Sequence, residues 1–154
     1  MKISIGDKLP DATFQSMGPE GPVSHNIRDL TTGKKIVIFG LPGAYTNTCS
    51  TAHMPSFVRN ANEIRANGID AIYCLAVNDV HVMKSWAKEM GADTAHIGML
   101  SDVDGSYTKS IGFNFTVPAV GFFDRSQRYS MIVDNGVITS LNEEIERTNR
   151  KCLG

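Results

Sequence analysis

The side chain in this sequence most suited to chemistry is the thiol of Cys49. It stands at the end of Leu41-Pro42-Gly43-Ala44-Tyr45-Thr46-Asn47-Thr48-Cys49, a run of chain-breaking and helix-capping residues. The apolar β-branched run Lys35-Ile-Val-Ile-Phe-Gly40 precedes it, and a helical pattern with Phe57, Val58, Ala61 and Ile64 on one face follows. A cysteine placed so lies where the first backbone N–H groups of a helix point and where the helix dipole is positive. Both effects favour the thiolate, which is the nucleophilic form. The competing reading, a buried cysteine acting as a small hydrophobe, fits poorly beside Asn47, Thr48, Ser50 and Thr51. Cys74, inside Ala71-Ile-Tyr-Cys-Leu-Ala-Val77, has apolar neighbours and reads as packing. Cys152 sits in a polar tail beside Arg147, Arg150 and Lys151, which favour its thiolate. No two of the three cysteines are two or three residues apart, and His25, His81 and His96 show no ligand spacing, so no metal is expected. His53, one turn past Cys49, reads as packing and hydrogen bonding. Trp86 reads as packing or interface.

The elements that must position Cys49 follow from the alternation of apolar runs and breakers. The strand before the loop is apolar throughout, as a strand buried on both faces should be. The helix after it is expected to stop at Gly68 and to be kinked at Pro55. A second buried strand spans 69–77. Asn78 or Asp79 caps a helix running to Met90, with Gly91 as its stop. A short strand over 97–100 and a turn at Asp102-Val-Asp-Gly105 lead into another short helix. Residues 129–133 and 137–141 flank Asp134-Asn135-Gly136, the signal of a tight hairpin. The Gly18-Pro19-Glu20-Gly21-Pro22 cluster is a surface turn. Without repeats or linkers, one domain over 1–154 is expected. The class is α/β: a central mixed sheet flanked by helices, in an order that fits a thioredoxin-like sheet and also other mixed sheets.

Composition narrows the function further. Of 154 residues, 42% are hydrophobic and 20% charged, and the formal net charge is −1 with scattered lysines and arginines. No field is present to draw in nucleic acid or an anionic membrane. Asp7, Lys8 and Pro10 interrupt the start before a secretory signal develops, and no run approaches the roughly 18 apolar residues of a membrane span. An odd cysteine count argues against a secreted disulfide framework. A cytoplasmic location is the expectation.

The segment Pro42-Gly-Ala-Tyr-Thr46-Asn-Thr-Cys49 resembles the Pro-x-x-x-Thr-x-x-Cys signature of the peroxiredoxins. Cys49-Ser-Thr-Ala-His53-Met-Pro55, Ala76-Val77-Asn78-Asp79 and Arg128-Tyr-Ser-Met131 running into Asp134-Asn-Gly-Val137 extend the likeness to about Leu141. Together they resemble the atypical type II, peroxiredoxin 5-like, subfamily. Asn47 departs from it where many members carry Pro, and Tyr45 where Phe is common. The tail after Leu141 is not covered, although members usually add a further helix there.

The resemblance implies a thioredoxin-like fold and a thiol-dependent peroxidase acting on hydrogen peroxide and organic hydroperoxides, without a cofactor. Cys49 would be the peroxidatic nucleophile, oxidised to a sulfenic acid. Thr46 would hold peroxide and sulfur through its hydroxyl, Pro42 would wall the pocket, and Arg128, on the hairpin's first strand, would supply a fixed positive charge. Backbone N–H groups of Gly43 or Cys49 would add donors. Without the resemblance, Arg125 and Arg128 are equivalent choices. Plant-type members are thought to resolve the sulfenic acid with a cysteine at the spacing of Cys74, and animal-type members with one near Cys152. Cys152 is preferred here, with an external thiol second. Thioredoxin, glutaredoxin or glutathione would recycle the enzyme, which is expected to be a homodimer. A Cys-x-x-Cys oxidoreductase is disfavoured, since position 52 is Ala and position 46 is Thr. A non-enzymatic redox sensor sharing the same first step is separated from the enzyme by multiple turnover.

Overall fold

A computed structural model describes residues 2–45 and 48–143, with the backbone alone over 48–53. In chain order the elements are β1 (Thr13–Gly18), β2 (Gly21–Asn26), α1 (Ile27–Thr31), β3 (Lys35–Gly40), α2 (Thr48–Ala66), β4 (Ala71–Ala76) and α3 (Val80–Met90). There follow β5 (Ile97–Ser101), α4 (Ser106–Ser110), β6 (Asn114–Val117), a 3-10 turn at Pro118–Val120, β7 (Phe122–Ser126), β8 (Tyr129–Asp134) and β9 (Val137–Glu143). Seven strands form one mixed sheet in the order β2-β1-β5-β4-β3-β8-β9, and β6 and β7 form a separate antiparallel ribbon.

The apolar runs of β3 and β4 are explained by burial on both faces. Val37 and Phe39 with Ile72, Cys74 and Ala76 meet Met54 and Ala61 of α2 and Met83, Trp86 and Ala87 of α3. Ile36, Ile38 and Leu75 face the other way, onto Ile27, Tyr107, Ile111 and Met131. The parallel pairs β3–β4 and β4–β5 are joined through α2 and α3. Right-handed crossovers that step in one direction across a sheet put both helices on the same face, in keeping with their shared core cluster.

The carboxyl ends of β3 and β4 therefore open onto one edge, the place where open α/β sheets present their sites. The hairpin at 129–141 is present and extends to Glu143. Asn135 and Gly136 both take positive φ, 50° and 86°, as its two-residue turn demands. The helix that carries Cys49 runs through Pro55, as expected, at the cost of one backbone bond, and ends at Ala66, two residues before Gly68.

Besides the short α1 and the 3-10 turn, two strand pairs carry no clear signal in the sequence. The turn at 18–22 joins a true hairpin, with Thr13↔Asn26 through Gly18↔Gly21 in register. Its first strand sends only Phe14 into the core, so the sequence carries no clean alternation. The β6–β7 ribbon is likewise short and half exposed.

Candidate active site

Cys49 is the second residue of α2, after the seven-residue loop 41–47 that leaves β3. The strand–loop–helix junction is thus as the sequence reads. The Cys49 and His53 side chains, Thr46 and Cys152 lie outside the described residues.

The described part of the loop is buried, and its polar groups are held by side chains from elsewhere. Pro42, Gly43 and Ala44 are buried and Leu41 is fully so. A buried loop has no ladder to satisfy its amides, so partners must be supplied. The N–H of Ala44 donates to Asn78 Oδ1 at 2.8 Å. Tyr45 holds a left-handed backbone, φ 61°, uncommon for a residue with a side chain. Its hydroxyl pairs with Ser85 Oγ at 2.9 Å, and its ring centroid is 6.4 Å from that of Trp86. Of the two capping candidates, Asp79 caps α3 by accepting from the Val82 N–H at 2.9 Å. Asn78 is left to hold the loop, a role the sequence reading did not assign.

The register of β3 with β8 brings Arg128 to this loop. Gly40 pairs with Tyr129, so Arg128, one residue before this antiparallel strand begins, stands beside Leu41. Any Cβ at Gly40 would collide with the Tyr129 ring, which explains glycine there. Arg128 does not lie on the hairpin's first strand but in the two-residue link between β7 and β8. The link is where the chain turns from ribbon to sheet, and it carries the side chain inward. At 5% exposure Arg128 is no solvated edge residue, and a buried guanidinium is costly unless the surroundings compensate it.

Arg125 is the second cation of this region. From β7 its Nη1 donates to the carbonyl oxygen of Pro42 at 3.1 Å. Its guanidinium lies 5.5 Å from the Phe122 ring centroid, and partial burial lowers its pKa. The sequence reading saw both arginines but offered no structural role for Arg125.

The remaining candidates belong to the core. Cys74 is fully buried, opposite Phe39 on β3, and burial pushes its thiol pKa up. It therefore favours the inert thiol and supports the packing reading. Trp86 is fully buried between α3 and the sheet, which settles packing over interface. His25 Nε2 pairs with Ser16 Oγ at 2.6 Å across the β1–β2 hairpin. Among the described residues no group of three or more His, Cys, Asp or Glu side chains is gathered as a metal site requires. None of the helices there is long and apolar enough to cross a membrane.

Comparison with known proteins agrees with this geometry. The family model described as Redoxin matches residues 4–152. Peroxiredoxin-2E, chloroplastic, of Arabidopsis thaliana is 43% identical over 146 residues, covering 92% of this chain and 62% of its own length. Peroxiredoxin-2C of Oryza sativa subsp. japonica is 38% identical and is covered to 88%. The chain thus spans less than two thirds of the first of these relatives and most of the second. Among solved structures, reduced Prx3 of Vibrio vulnificus in complex with hydrogen peroxide superposes with a TM-score of 0.87 at 44% identity, over 93% of this chain and 89% of that one. Peroxiredoxin 5 of Alvinella pompejana superposes at 0.83 with 31% identity, over 98% and 96%. The family match and the shared thioredoxin-like fold, both over nearly the whole length, show that the chain belongs to the redoxin family, among peroxiredoxins of the type II, peroxiredoxin 5-like kind.

Proposed function

We propose that this chain is a thiol-dependent peroxidase that reduces hydrogen peroxide and organic hydroperoxides at Cys49. The observation that carries the reading is the buried Arg128 beside Leu41, where the loop leaves β3 for the α2 N-terminus that holds Cys49. Helix N-terminus and guanidinium both stabilise an anion, so Cys49 is held as thiolate without a general base. The thiolate attacks one peroxide oxygen: the S–O bond forms, the O–O bond breaks, and the other oxygen leaves with the electron pair. A proton from solvent or peroxide makes it water or an alcohol, and Cys49 becomes a sulfenic acid. Arg128 offsets the charge growing on the leaving oxygen. Thr46 supplies a hydroxyl donor to peroxide and sulfur, and Pro42 screens the pocket from water. The Vibrio relative solved with hydrogen peroxide supports this substrate class.

Replacing Cys49 with Ser removes the ionisable group. Peroxide consumption with a thiol reductant is expected to vanish, and multiple turnovers by the unaltered chain separate an enzyme from a one-shot sensor. Retained turnover in Cys49→Ser overturns the proposal.

Recycling proceeds through Cys152, with direct attack by thioredoxin, glutaredoxin or glutathione as the second route. The full burial and raised thiol pKa of Cys74 favour these routes over it, since the thiolate is the form that attacks. Peptide mass mapping after one equivalent of peroxide is expected to find a Cys49–Cys152 link. A Cys49–Cys74 link refutes it, and sulfenic acid persisting with both other thiols free assigns the external route. The enzyme is further proposed to act as a cytoplasmic homodimer, which cell fractionation and sedimentation check.

A further inference from the structure

The mechanism above makes no use of Arg125, yet this residue reaches out of the β6–β7 ribbon to the loop before Cys49. Its Nη1 donates to Pro42 across 83 residues of sequence, and its guanidinium is packed near Phe122. Partial burial is an unfavourable setting for a cation. Bonds from a charged donor to a carbonyl are among the stronger ones.

The acceptor matters more than the bond. The Pro42–Gly43 peptide is planar and not cis, so its C=O and N–H point in opposite directions. Fixing the oxygen on Arg125 fixes the Gly43 N–H on the side away from Arg125. The next amide, that of Ala44, is held by Asn78 from the β4–α3 link. Two consecutive peptides of a buried loop are thus clamped by two different elements, a few residues before the nucleophile.

We propose that Arg125 is a positioning residue for the peroxide reaction: by gripping the Pro42 carbonyl it fixes the Gly43 amide and the course of the loop that leads to Cys49. The proposal rests on the peroxidase reading, and its test includes measurements that do not need peroxide. Arg125→Met and Arg125→Lys are compared with the unaltered chain in three ways: the Gly43 amide resonance, the pH dependence of Cys49 alkylation followed by peptide mass, and the second-order rate with hydrogen peroxide. In Arg125→Met the Gly43 resonance is expected to move, the alkylation midpoint to rise, and the peroxide rate to fall on the order of tenfold or more, since small misplacements near a reacting centre are costly. Lysine still donates to a carbonyl, so Arg125→Lys should recover most of the rate. A peroxide rate in Arg125→Met within about twofold of the unaltered chain overturns the proposal. So does Arg125→Lys being as slow as Arg125→Met, or an unmoved Gly43 resonance. If the unaltered chain consumes no peroxide, the peroxidase reading fails by itself, while the resonance and the alkylation midpoint still decide whether Arg125 sets the loop.

Discussion

Between β4 and α3 the chain needs three residues, 77–79, whereas between β3 and α2 it takes seven, 41–47. Both crossings leave neighbouring parallel strands at the same edge of the sheet. The short one satisfies itself: Asp79 accepts the Val82 N–H, as an N-cap should. The described part of the long one is held from outside, by Asn78, Ser85 and Arg125. It also keeps a left-handed Tyr45. A helix start capped by its own side chain has used donors that an anion would need. The longer, externally held crossing leads to the helix start that carries Cys49.

The two cysteines of these crossovers show the same division. Cys49 lies at a helix start, and Cys74 lies mid-strand, buried, with its thiol pKa pushed up. Residue type is identical and position differs: burial favours the thiol at Cys74, whereas a helix start is a setting that lowers a cysteine pKa.

The largest break in this comparison is expected from Arg128→Met, which keeps length and removes the buried charge beside the long crossing. The second-order rate with peroxide should fall on the order of 100-fold, and the pH midpoint of Cys49 alkylation should rise. A silent Arg128→Met with a damaging Arg125→Met would transfer the charge role to Arg125.

Asn78→Ala should act more mildly and on two readouts at once. It leaves the buried Ala44 N–H without its acceptor, a loss of about 1–3 kcal/mol. Denaturant unfolding should record that loss, and the peroxide rate should drop with it because the loop is released. An unchanged rate at reduced stability would mean that the long crossing keeps its shape without this clamp.

The smallest effect is expected from Asp79→Ala on the short crossing. Loss of the N-cap should cost about 1 kcal/mol of stability. The peroxide rate should stay that of the unaltered chain, since among the described residues the Asp79 side chain holds the start of α3 and not the loop. A rate loss as large as that of Asn78→Ala would join the two crossings into one unit.

Local chemistry made much of this molecule legible in advance. The doubly buried β3 and β4 announce themselves as unbroken apolar runs, because both faces lose water. Asn135-Gly136 announces its hairpin, because few residue pairs accept two positive φ angles. The position of Cys49 follows from a strand, breakers and a helical face in that order. The sheet edge at β1–β2 and the β6–β7 ribbon were not legible, because strands that bury few side chains carry no clear period.

What the sequence by itself determined is the doubly buried strands, the helices after them, the 129–141 hairpin and the place of Cys49 at a helix start, since propensity, burial pattern and turn chemistry act over a few neighbouring residues. Apart from the family resemblance, local pattern did not separate Arg125 from Arg128. The pairing of Gly40 with Tyr129 sets Arg128 beside Leu41, and Arg125 reaches Pro42, so the two differ in place although not in local pattern. Asn78 and Asp79, adjacent and equally able to cap, were likewise assigned to loop and helix only by where the Ala44 N–H lies. Contacts between residues far apart in sequence depend on register and on the path of the whole chain. No local pattern encodes them.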